Sequence, residues 1–163
     1  MDPVEEITRR NRWVFHRYAE SAETLSHADL TAETRGSYGS IRETMDHVIA
    51  ALNVWEKRLR GETPLSVEFE GVDPAAGLTE MRAEMDRLTD DVLKVVRDPA
   101  VDRDRDLNYR NSRGEEHHFT VGEILMHVGL HGSDHLAQVA VLLTQAGVQP
   151  ETSDFLNFVD EER

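Results

Sequence analysis

Apolar residues recur at spacings of three and four over the stretch Thr120 to Gly147, TVGEILMHVGLHGSDHLAQVAVLLTQAG, and nothing else in the chain narrows its fold as much. That period is helical. Thr120 and Glu123 make the T-x-x-E pattern, in which hydroxyl and carboxylate each satisfy an unpaired backbone N–H, so the helix is expected to begin there. Gly147 offers a left-handed cap and Pro150 bars continuation. Between these limits Ile124, Val128, His131, His135, Val139 and Leu142 share one side. Two imidazoles therefore interrupt an otherwise apolar, inward-facing stripe.

Histidines at i and i+4 stand one turn apart, roughly 6 Å along the axis, close enough for both to reach one metal ion. His127, His131 and His135 do not easily converge together, because the outer two are separated by about 12 Å. A third ligand is expected from another helix. The spacing by itself also occurs on solvated or hydrogen-bonded faces.

Three further segments carry the helical period. The first opens at Asp2-Pro3, with Glu5 at the reciprocal position of a capping box, and buries Val4, Ile7, Asn11, Val14, Tyr18 and Leu25, running to about Ser26. The second is capped by Ser40 and Glu43, carries Ile41, Met45, Val48, Leu52, Trp55 and Leu59, and stops at Gly61. His47 lies on its flank, beside that stripe; set against His131 and His135 it becomes the candidate third ligand. The third helix starts near Pro74 or Gly77, buries Leu78, Met81, Met85, Leu88, Val92 and Val95, and ends at Pro99. Its methionines read as core, since thioethers select soft metals.

Residues 62–76, with Pro64, Gly71 and Pro74, read as a long loop. Between Pro99 and Thr120, two short runs flank turn formers Asn111 and Gly114, which suggests a β-hairpin in which His117 and His118 face opposite ways. Phe155, Leu156, Phe158 and Val159 make an apolar tail expected to fold back on the helices. His16 and His27 read as surface or packing residues. The expected fold is all-α: one domain, residues 1–163, built as a four-helix bundle with a long loop after the second helix, a hairpin before the fourth and a C-terminal apolar tail.

Composition limits the chemistry. The chain has no cysteine, so disulfides, thiolate metal sites and a cysteine nucleophile are excluded, and a reacting thiol must arrive with the substrate. A formal charge of −14 repels phosphate backbones and anionic lipid, arguing against nucleic-acid or membrane partners. No run approaches the ~20 apolar residues of a membrane span, nor does the N-terminus resemble a signal peptide, so a cytoplasmic location is expected. Bundles build metal sites from facing helices, and three imidazoles leave a position open. Nitrogen donors suit a divalent ion, zinc or nickel first, with iron or manganese also fitting.

The runs SYGSIRETMDHVIAALNVWEKRLRG and HVGLHGSDHLAQVAVLLTQAGVQPETSDFLNF resemble the second helix, the H-x-x-x-H-x-x-x-H-x-x-Q stretch and the G-x-x-P-x-x-x-D-F tail of the DinB-like, or YfiT-like, family of metal-dependent proteins. That family is distinct from the DNA polymerase of similar name, and the resemblance spans nearly the whole chain. It implies His47, His131 and His135 as ligands of a divalent metal, with His127 matching a histidine that relatives do not usually use and Gln138 matching the following glutamine. Relatives often carry His-Arg-Gly-Gln where this chain has His135-Leu136-Ala137-Gln138, and the missing arginine bears on substrate type.

The resemblance further implies a thiol transferase acting with a low-molecular-weight thiol such as mycothiol or bacillithiol, as in a maleylpyruvate isomerase of the family, and a homodimer. A hydrolase with water as nucleophile is the second reading. A third is a non-catalytic, stress-associated or small-molecule-binding bundle with a structural metal. Glu43 serves as a cap or, alternatively, as a base or ligand-orienting group near His47.

Overall fold

The computed structural model describes residues 1–35, 37–61, 71–111 and 113–163. The elements follow in the order α1 (Pro3–Ala22), α2 (His27–Thr31), α3 (Ile41–Leu59), α4 (Leu78–Arg97), β1 (Asp106–Arg110), β2 (Glu116–Thr120), α5 (Val121–Gln145) and α6 (Phe155–Glu161). The described residues are mostly helical, with one small antiparallel hairpin among them. Among the described residues no helix is long and apolar enough to cross a membrane.

The helix starts follow the capping chemistry. Thr120 accepts from the Glu123 N–H while the Glu123 carboxylate accepts from the Thr120 N–H at 2.8 Å, and Ser40 and Glu43 repeat the exchange on α3. Two expectations are corrected. The first helix stops at Ala22 rather than near Ser26, because Ser26 forms its own capping box with Asp29 and begins the short α2. Glu5 does not close a box with Asp2, which caps α1 by accepting from the Val4 N–H; instead Glu5 takes a hydrogen bond from Arg97 at 2.8 Å. At the far end of α5, Gly147 adopts φ +82°, and the Val148 N–H reaches the Leu143 carbonyl at 2.9 Å.

Each of α1 and α3 packs against both α4 and α5. The shared interior holds Val14, Phe15, Tyr18, Met45, Ile49, Met81, Leu88, Leu125, Val139 and Leu143. Both methionines of the α4 stripe are buried there, as its period requires. The expected loop lies partly outside the described residues, which omit 62–70, Gly36 and Ser112. Its described end is tied to α3: the Val72 N–H donates to Asp46 at 2.8 Å, and Arg42 donates to the carbonyls of Ala76 and Asp73.

The hairpin pairs Leu107 with Phe119 and Tyr109 with His117, and Leu107 is buried in the core. The C-terminal segment is a short helix. Phe158 is buried against α1, with Trp13 5.8 Å away, whereas Leu156 and Phe155 are exposed. Seven residues span two turns, enough to turn one aromatic side chain inward.

Two glycines set the approach of α5 to α1. A Cβ at Gly129 would lie 2.8 Å from Ile7, and one at Gly132 would lie 2.7 Å from the Asn11 side-chain nitrogen. Asn11, buried, donates to the Gly129 carbonyl at 2.8 Å and accepts from the Ser133 hydroxyl at 2.8 Å. This contact occupies one side of α5 and leaves the histidine side for α3. Gly132→Ala is expected to cost about 1–3 kcal/mol by overpacking, since Asn11 must give up its bond to move. Urea denaturation of wild type and variant, with both metal-free, measures it.

Candidate metal centre

Helices α3 and α5 run antiparallel along one seam, so that His47 faces His131 and His135 while Trp55, two turns on, faces His127. His47 is buried, and His131 and His135 are half-buried. The His131 Nε2 lies 3.3 Å from the His47 Nε2 and 3.2 Å from the His135 Nε2. Among the described residues these three form a group whose candidate donor atoms all lie within 4.8 Å of one another; His127 is not in it.

Gln138 determines the tautomer of His135. Its Oε1 lies 2.9 Å from the His135 Nδ1 and accepts from the Ser37 hydroxyl at 3.1 Å, so Nδ1 carries the proton and the Nε2 lone pair turns toward its neighbours. The Ser37 hydroxyl also meets that of Thr44, on α3, at 2.8 Å, so this one side chain links α3 to Gln138 of α5. A proton on the His131 Nε2 serves one of its two close contacts well, and the other then lacks a donor. A cation among the three nitrogens removes that conflict.

Desolvation lowers the pKa of both His47 and His131 to about 4, with the neighbouring imidazoles adding to the effect. Both rings are therefore neutral at pH 7, the state that binds metal. Zinc–nitrogen bonds of about 2.0–2.1 Å at tetrahedral angles separate ligand nitrogens by roughly 3.3 Å. The separations of 3.3 Å and 3.2 Å from the His131 Nε2 match this, so the donor set is compatible with one divalent ion.

The other histidines lie elsewhere. The exposed His127 sits one turn from His131, with ring centroids 5.5 Å apart, and packs edge-on to Trp55 at 5.1 Å. His16 bonds Asp86 at 2.8 Å, His118 bonds Asn108 at 2.7 Å, and His117 stacks on Tyr109. His27 is exposed in α2. Glu43 commits its carboxylate to the α3 cap, and the Ser40 N–H holds its pKa down.

Sequence reasoning missed Tyr38. Its ring stacks on His47 at 3.5 Å with the planes 14° apart and stands edge-on to His135 at 5.2 Å, yet half of the residue is exposed. It precedes the helix, where periodicity says nothing; only its position two residues before the Ser40 cap hinted that it could fold back on the first turns.

A half-buried three-imidazole cluster on the seam of a helical protein defines the molecule as a candidate metalloprotein. The DinB family model matches residues 1–163, and the chain belongs to that family. No curated protein matches it.

Two outcomes follow from the geometry. Gln138→Ala is expected to weaken divalent-metal affinity about 10- to 100-fold by freeing the His135 ring, measured by competition with a chromophoric chelator. Unfolded histidine takes its proton near 6.5, whereas folded His47 and His131 take theirs near 4, so the folded state binds fewer protons between these values. The metal-free protein should then lose stability as pH falls from 6.5 toward 4. Urea midpoints across that range should fall more steeply for wild type than for His131→Ala.

Proposed function

We propose that the protein binds one divalent metal ion through His47, His131 and His135 and acts as a transferase between a low-molecular-weight thiol and a small-molecule acceptor. The observation that carries this reading is the convergence of three Nε2 atoms in a group that, among the described residues, ends at three. Structural zinc sites are closed by four protein ligands, and sites with three keep a position for a reactant. A divalent ion held there supplies Lewis acidity, lowering the pKa of a thiol or of water so that it is nucleophilic near neutral pH. Zinc and nickel suit the nitrogen set, and iron and manganese accept it too.

The chain's own groups do the rest. Gln138 and Ser37 hold the His135 ring, and burial keeps His47 and His131 neutral. Tyr38 shields the face of His47 from solvent. His127, one turn from His131 with ring centroids 5.5 Å apart, is placed to receive the proton that the thiol gives up, and desolvation favours its neutral form. The thiol is supplied from outside, because the chain has no cysteine.

The test is spectroscopic. Cobalt-loaded protein should bind near one equivalent of metal and change its visible absorption on titration with 2-mercaptoethanol, and His131→Ala should retain neither property. Metal that stays bound but never responds to thiol points instead to an ion that only fastens α3 to α5. No metal binding by the wild type overturns both.

A further inference from the structure

One helical turn along the α3/α5 seam from the histidine cluster, the β1–β2 hairpin stands off the helices and leaves a cleft of about 390 Å³. This falls within the range of small-molecule sites, roughly 300–1,000 Å³. Five of the lining residues carry rings: Trp55 from α3, His127 from α5, and Tyr109, His117 and Phe119 from the hairpin. The period of two in β2 puts His117 and Phe119 on one face, and the pairing of Tyr109 with His117 adds a third ring to it. These rings lie nearly parallel: Tyr109 and His117 are 5.1 Å and 20° apart, and His117 and Phe119 are 6.0 Å and 13° apart. The helix side supplies Trp55 and His127, edge to face.

Two features separate this cleft from ordinary packing. Phe119 is 42% exposed, although Leu107, its partner across the hairpin, is buried in the core. The Arg58 guanidinium also lies 4.5 Å from the Trp55 ring and 4.1 Å from the Tyr109 ring without itself lining the cleft. Arg58 is buried, and it has no ion pair among the described residues. It packs on both rings and holds them in place, and Glu123, which lines the cleft, has its carboxylate taken up by Thr120 in the α5 cap.

The cleft also adjoins the cluster. His127 lines it and stands beside His131, and a second void of about 20 Å³ touches both Trp55 and His131. We propose that this cleft binds an uncharged aromatic ring of the small molecule on which the protein acts, placing the donor atom of that molecule about one helical turn away, at the histidine cluster. The placement of the donor atom rests on the metal reading above; the binding of the ring does not.

Benzyl thiol and cyclohexylmethanethiol are similar in size and differ in aromaticity. Aromatic pairs contribute about 0.5–1.5 kcal/mol beyond burial, which converts to roughly 2- to 12-fold in affinity. Cobalt-loaded wild type should prefer benzyl thiol by that factor. Phe119→Ala, altered at an exposed position, should lose the preference while keeping its metal content and its response to 2-mercaptoethanol. Equal affinities in the wild type, or an unchanged ratio in Phe119→Ala, overturn the proposal. Should the protein bind no metal, the cleft is still decided in the metal-free Trp13→Phe variant, whose remaining tryptophan is Trp55. Saturable quenching of its fluorescence by benzyl alcohol, and not by cyclohexylmethanol, supports the ring site, and no difference between the two refutes it.

Discussion

The antiparallel seam between α3 and α5 is the constraint on which the site depends. The His131 Nε2 is brought within hydrogen-bond distance of the Nε2 atoms of both His47 and His135 in a half-buried position, where protonating His47 or His131 is opposed by desolvation. Neutral imidazoles so placed are poor partners for each other and good partners for a cation. The surrounding structure holds the arrangement from two sides. Gly129, Gly132 and Asn11 bring α1 close against α5, and Gln138 with Ser37 fixes the His135 ring.

The same seam links the two cavities. His127 and Trp55 form the boundary between the histidine cluster and the aromatic cleft, and the hairpin closes the cleft's far side. The surface contributes less to this organisation. Arginines of α1 pair with acids of α4 and of the C-terminal segment, as in Arg12 with Asp90 at 2.8 Å and Arg17 with Glu151 at 2.8 Å. Exposed pairs of this kind contribute about 0–1 kcal/mol each, so they orient α6 more than they stabilise the fold. With a net charge of −14, the arginines also limit self-repulsion among the acids.

Much of the helical framework was legible because its signals are local. Ser40 with Glu43 and Thr120 with Glu123 act over four residues, and the stripes of α3, α4 and α5 need no partner to be recognised. The structure departs from these signals where a second cap or a distant partner competes with them. The Ser26–Asp29 pairing starts a second helix where the periodicity alone continues the first, and Arg97, distant in sequence, claims the Glu5 carboxylate that a local capping box would use. The C-terminal apolar residues were visible as a group, but which of them turns inward depends on the face that α6 presents to Trp13 and Arg9.

The sequence by itself determined that the long segments are helices, that His131 and His135 share an inward face one turn apart, that His47 lies on the flank of another helix, and that no thiol resides in the chain. Each follows from spacing or composition. Only the tertiary structure decided that the three Nε2 atoms meet while His127 stands outside the group, that Tyr38 lies across His47, and that rings from a hairpin and two helices enclose a cleft beside them. Those facts depend on the relative rotation and approach of elements far apart in sequence. That geometry is set by the Gly129 and Gly132 contacts and by core packing, neither of which leaves a period in the chain.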